Sequence, residues 1–195
     1  MKTFHAWIFD LDGTLTVPMH DFAALKRELG LPADLDVLAG IASRAPEEQA
    51  PLREAVRIWE LAHLDRAEAG TGARELLTRL REARIPMGIV TRNTHEGARG
   101  TLKQIGLSEL FDDAVIYGRE DAKPKPAPDA VLALLERFSV AADQAVMIGD
   151  DIHDLQAARA AGVTPVWIDP VGEGPYAAHA DLVITSLEQV FDWLP

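Results

Sequence analysis

The chain has 195 residues, with 31 Asp and Glu against 19 Lys and Arg, a net charge of −12, 48% hydrophobic residues and no cysteine. That length builds one sizeable core with room for a small inserted lobe. The negative balance argues against a nucleic-acid surface, which needs Lys/Arg stripes, and the lack of cysteine excludes disulfides, thiolate metal sites and a cysteine nucleophile. No apolar run is long enough to span a bilayer and no basic-then-apolar leader opens the chain, so a cytoplasmic location without a membrane partner is expected.

The first element is a buried strand, Ala6-Trp7-Ile8-Phe9, which runs out into Asp10-Leu11-Asp12-Gly13-Thr14-Leu15-Thr16. Asp21 reads as the N-cap of a short helix with Phe22, Leu25 and Leu29 on one face, and Gly30 stops it. A looser stretch, Leu31 to Ala45, contains Pro32 and Gly40. Pro46 then opens a longer helix, with Leu52, Val56 and Trp59 at helical spacing, that fades near Gly70. The whole stretch from Val17 to Ala69 is expected to be helical. From Thr71 helix and strand alternate: a helix near Gly72–Ala83 and the strand Ile85–Val90; a helix near Thr94–Ile105 and Ala114–Tyr117; a helix near Asp129–Phe138 and Ala145–Ile148; a helix near Asp154–Ala161 and Thr164–Ile168. Asp181–Ile184 adds a last strand, and Ser186-Leu187-Glu188-Gln189 has the capping-box pattern of a final helix. This alternation predicts an α/β fold, a mostly parallel central sheet with helices on both faces. Residues 1–16 and 70–195 form the core, and 17–69 an all-helical insertion.

Ligands of such sheets bind beyond the carboxyl ends of the strands, so the strand ends carry the chemistry. Asp10 and Asp12 are two apart in an extended chain and point to the same side. Two carboxylates so placed repel unless a cation binds or one keeps a proton, which suggests a carboxylate nucleophile beside a carboxylic acid. An Asp-Gly hairpin turn is the competing reading of this heptapeptide, but Pro18 and helical periodicity follow it instead of a partner strand. Gly13 lets the backbone turn sharply or approach a ligand closely.

The other strand ends deliver Thr91-Arg92-Asn93 and Gly149-Asp150-Asp151, with Asp154 nearby. So many carboxylates call for a hard divalent counter-ion, for which Mg²⁺ with substrate phosphate is suited. Asp150 is the favoured ligand, while Asp151 and Asp154 also suit the N-terminal turn of a helix. Thr91 offers a hydroxyl at a helix start where free N–H groups bind phosphate. Asn93 with Glu96 fits a helix cap, and Arg92 is either a substrate contact or solvated. Lys123 and Lys125, in a proline-stiffened loop, compete for the role of a cation bridging nucleophile and phosphate. Lys26, Arg27, Arg44, Arg53, Arg57 and His63 of the insertion could reach over the site, although such residues are more often solvated on a helix face than ligands. His5, His20, His95, His153 and His179 show no metal spacing and receive no role.

Asp10-x-Asp12-Gly-Thr-Leu, Thr91, the Lys-Pro-x-Pro lysine and Gly149-Asp150-x-x-x-Asp154 together resemble, in order, the four motifs of the haloacid dehalogenase-like hydrolases, in their phosphoglycolate-phosphatase-like branch. The resemblance implies a Rossmann-like core with a small helical cap, Mg²⁺, and a small phosphorylated metabolite as substrate. It makes Asp10 the nucleophile, Asp12 the acid and base, and Thr91 and Lys125 the phosphoryl clamps. Lys125 is chosen over Lys123 because Lys125-Pro126-Ala127-Pro128-Asp129 matches the usual form. The metal would be held by Asp10, Asp150 and the backbone carbonyl of Asp12. Leu11, Gly13, Arg92 and Asn93 would border the phosphoryl group, with Thr14, Asp151 and Asp154 behind it. A sugar phosphomutase shares these motifs and is the alternative; a dehalogenase or a non-catalytic phosphate-binding module fits them less well.

Overall fold

The computed structural model describes residues 3–172 and 174–194. In chain order its main elements are β1 (Ala6–Phe9), α1 (Phe22–Glu28), α2 (Val37–Ala42), α3 (Pro46–Ala62), α4 (Ala73–Glu82), β2 (Met87–Val90), α5 (His95–Gln104), β3 (Ile116–Tyr117), α6 (Asp129–Phe138), β4 (Ala145–Gly149), α7 (Ile152–Ala160), β5 (Thr164–Ile168) and β6 (Leu182–Ile184). The six strands form one sheet in the order β3-β2-β1-β4-β5-β6, and every pairing is parallel. β1 lies at the centre and is buried at all four positions, as its unbroken apolar run requires.

Side chains alternate across the sheet and found two cores. Trp7 and Phe9 point to one face, where Leu76, Leu77 and Leu80 of α4 and Leu102 of α5 cover them. Ala6 and Ile8 point to the other, against Val131 and Leu134 of α6 and Ala157 and Ala158 of α7. The chain leaves β1 towards β2 and β3 on one side, then returns to build β4, β5 and β6 on the other. The strand order therefore reverses between β1 and β4, where open α/β sheets bind their ligands.

The three helices α1–α3 gather around a small cluster of their own, Leu25, Leu31, Ile41 and Val56. The chain departs and returns through adjacent backbone: Thr16 and Ala69 form an antiparallel bridge, and Val17 N–H donates to the Glu68 carbonyl at 3.0 Å.

The structure corrects three local readings. The stretch read as loose contains α2, because Asp36 caps it by accepting from Leu38 and Ala39 N–H at 2.9 and 3.0 Å. The cap of α5 is Thr94, which accepts from Gly97 N–H at 3.0 Å, rather than Asn93. The last segment, Leu187–Trp193, is a 3₁₀ helix with no side-chain cap from Ser186; Gln189 accepts from Thr185 N–H instead, at 2.8 Å.

Candidate active site

The residues that follow β1, β2 and β4 meet around a cavity of about 370 Å³ roofed by α1, α2 and α3. Asp10 is anchored by its own backbone N–H, which donates to the Ile148 carbonyl at 2.9 Å, and its side chain is buried. Lys125 reaches the same place from the loop before α6. Its Nζ lies 2.5 Å from Asp10 Oδ1 and 2.5 Å from Asp154 Oδ1, with the lysine side chain only 2% exposed. Lys123, two residues earlier, is 79% exposed and faces Asp129 at 4.0 Å. The loop turns and bends here rather than running as a strand, so residues two apart face different ways.

Asp150 follows β4 and packs against Gly13. A Cβ on Gly13 would sit 2.2 Å from Asp150 Oδ2, and its φ of +81° is in the left-handed region. Only glycine permits both the turn and the close approach. The Trp167 indole N–H donates to the Asp150 carbonyl at 2.9 Å and fixes the loop. Asp10, Asp150 and Asp154 each offer an oxygen within 4.8 Å of the others. Burial pushes the Asp10 carboxyl up to about 7, with Asp154 and Asp12 adding repulsion against the pull of Lys125. Burial pushes Asp150 up to about 9, reinforced by the charges of Asp10 and Asp154. Burial opposes the charge on Lys125, but Asp10 and Asp154 outweigh it and raise its pKa. One buried ammonium among three carboxylates leaves negative charge uncompensated. An all-oxygen set of this kind fits a hard divalent ion.

Asp12 lines the same cavity. The Asn93 amide donates to its Oδ2 at 2.5 Å, and His20 Nε2 lies 3.4 Å from its Oδ1. Thr91, nearly fully buried, lines the cavity, and its Oγ1 accepts from Asn93 N–H at 3.1 Å. Leu11 puts its side chain into the core, and its carbonyl accepts from Thr14, Leu15 and Thr16 N–H. Thr14 is buried outside the cavity wall. Asp151 caps α7 by accepting from His153 N–H at 2.9 Å, and Asp154 Oδ2 accepts in return from Asp151 N–H at 3.0 Å.

Several cavity residues were not among those expected from the sequence. Glu60 of α3 pairs with Arg119, at 2.5 Å, through side chains 5% and 7% exposed. Asp36 pairs with Arg92 and lies 3.6 Å from His153 Nε2. The Asp36 signal was an Asx cap before Val37, Leu38 and Ile41 at helical spacing. The Glu60–Arg119 contact joins residues 59 apart in sequence, and His20 and Asp12, although close in sequence, lie on an irregular stretch outside any helix or strand, so neither contact leaves a periodic pattern. Of the insertion cations, Lys26 faces the cavity, while Arg57 pairs with Glu54 and Glu96.

Comparison with known proteins shows the chain's family and its relatives. A haloacid dehalogenase-like hydrolase family model matches residues 32–168. A phosphoglycolate phosphatase from Rhodospirillum rubrum is 34% identical, over 97% of this chain and 90% of its own length. A validoxylamine A 7′-phosphate phosphatase from Streptomyces hygroscopicus subsp. limoneus is 27% identical over 94% of each. The crystal structure of a hydrolase from Pseudomonas syringae has a TM-score of 0.79 and 26% identity, over 96% of this chain and 98% of that one.

Proposed function

From the chain's membership of the haloacid dehalogenase-like hydrolase family, as a phosphoric monoester hydrolase of the phosphoglycolate-phosphatase-like branch, we propose that it releases phosphate from a small phosphorylated metabolite in two steps at Asp10. The observation that carries this reading is the buried contact of Lys125 with Asp10 and Asp154 at the mouth of β1. It leaves a carboxylate, a cation and a cavity at one point.

In the first step an Asp10 oxygen attacks phosphorus. The ester oxygen departs as an alcohol, taking a proton from Asp12, and the phosphoryl group rests on Asp10. In the second step Asp12, now a carboxylate, removes a proton from water as that water attacks phosphorus. The Asp10–phosphoryl bond breaks and inorganic phosphate leaves. Asp12 suits this part because it lines the cavity and the Asn93 amide holds its carboxyl in place there. Lys125 and Thr91 hold the phosphoryl oxygens where charge accumulates. Asp10, Asp150 and the backbone carbonyl of Asp12 would hold Mg²⁺, which when bound supplies positive charge at the phosphoryl oxygens. Residues 17–69 act as the lid that excludes bulk water.

The test is hydrolysis of para-nitrophenyl phosphate with and without Mg²⁺. Asp10→Asn is expected to lower turnover roughly 10³-fold or more. Wild-type-like turnover in that variant would remove Asp10 as nucleophile. Product analysis on sugar phosphates separates free phosphate from an isomeric phosphate, the mark of a mutase.

A further inference from the structure

Every lysine or arginine at the cavity wall, among the described residues, is already engaged by a protein oxygen. Lys125 is held by Asp10 and Asp154. Arg119 is held by Glu60 and by the Arg92 carbonyl at 3.1 Å. Lys26 Nζ donates to the carbonyls of Ala33 and Leu35 at 2.7 and 2.9 Å. Arg92 is held by Asp36. The remaining wall beside the phosphoryl site is apolar, made by Phe22, Val37, Leu38 and Val56, and carboxylates outnumber cations around the cavity.

We propose that this enzyme selects phosphate esters of uncharged hydroxylated alcohols over esters carrying a carboxylate, and that Asp36 enforces the choice. This rests on the phosphatase reading above and names its substrate class. Arg92 is the cation best placed to receive a second anion, since it directly follows Thr91 at the end of β2. Asp36 occupies it. The same Asp36 Oδ1 also caps α2 through two backbone N–H groups, so it cannot swing away without uncapping that helix. A carboxylate that captured Arg92 would bring its charge against that of Asp36 at the same guanidinium, a like-charge contact of the kind that rejects wrong ligands. An alcohol hydroxyl meets the reverse situation: Asp36 and Glu60 both offer acceptor oxygens to it. His153 Nε2, 3.6 Å from Asp36 Oδ2, adds a second core group to the same carboxylate.

A matched pair of esters tests this: 2-phosphoglycolate and 2-hydroxyethyl phosphate, which differ by a carboxylate in place of a hydroxymethyl group. With Mg²⁺, the wild-type kcat/KM is expected to favour 2-hydroxyethyl phosphate by about tenfold or more. Asp36→Asn keeps a good cap residue but removes the charge. It is expected to shift the ratio about tenfold towards phosphoglycolate, mainly through KM, and Arg92→Ala added to it should abolish the shift. A wild type that prefers phosphoglycolate, or an Asp36→Asn protein with an unchanged ratio, overturns the proposal. Calorimetric binding of both esters to the Asp10→Asn protein separates the two claims. Selective binding without wild-type hydrolysis of either ester or of para-nitrophenyl phosphate would defeat the phosphatase reading and leave the selectivity standing. Hydrolysis of both without preference would do the opposite.

Discussion

At the scale of single residues, the site depends on which of two near-identical neighbours is turned inward. Lys123 and Lys125 each precede a proline in one loop, yet one is 79% and the other 2% exposed. Lys125→Ala removes the cation between Asp10 and Asp154, and turnover of para-nitrophenyl phosphate is expected to fall about 100-fold or more. Lys123→Ala removes a solvated group with one weak contact to Asp129 and should stay within about twofold. Equal losses in the two variants would show that Lys125 acts only through loop structure. The strand-end carboxylates and Thr91 were legible because a short strand, a turn and a helix start are local events that dictate their own residue types. His20 was not. Its ring sits against Trp59 and Phe22, 5.0 and 5.3 Å between centroids, and turns Nε2 towards Asp12. Those partners lie on separate elements, so no spacing along the chain announces the contact.

At the scale of elements, the alternation of helix and strand after Thr71 was legible nearly residue by residue, since α6 carries a helical apolar stripe and β5 is a short, fully buried run. The insertion was less so. Gly40 and Pro32 obscured α2, although Gly40 is there because Leu31 packs on it: a Cβ would lie 3.3 Å from the Leu31 Cβ. How α3 docks on the core was not legible at all, because it uses pairs that only the fold assembles. Two of them join the same helix to the core. Arg119–Glu60 is buried, with the Thr94 N–H also donating to Glu60 at 3.4 Å, whereas Arg57–Glu96 is half-exposed. Glu60→Ala would strand the Arg119 guanidinium in the interior and is expected to destabilise the fold by about 3–5 kcal/mol. Arg57→Ala should leave the denaturation midpoint almost unchanged, because solvent and salt screen that pair. Urea titrations of the two variants decide it, and similar midpoints would mean that Glu60 is compensated elsewhere.

At the scale of the whole molecule, stability, protons and metal are coupled through the acidic cluster. Asp10 and Asp150 have carboxyls pushed up to about 7 and about 9 in the folded, metal-free chain, against an unfolded value of 3.8. The folded state therefore binds more protons than the unfolded one across that interval. The contribution is fully present below the unfolded value and is lost as pH rises through 7 and 9. Glu60, also raised by burial, adds in the same direction. The lowered groups Asp36 and Asp151 titrate below this window and leave its sign unchanged. In chelator, the Tm should fall between about pH 5.5 and pH 8.5. A divalent ion competes with those protons, so Mg²⁺ should raise the Tm by more at the higher pH. Asp150→Asn, which removes the group with the highest raised carboxyl, should flatten the metal-free slope and weaken the response to Mg²⁺. A Mg²⁺-induced shift of equal size at both pH values would separate metal binding from these carboxylates. The expected pattern follows from one feature of the architecture: the sheet reverses between β1 and β4, and both strands end there in aspartate. The repulsion that burdens the metal-free fold at high pH is thus the same charge that prepares the cavity for a cation and a phosphate.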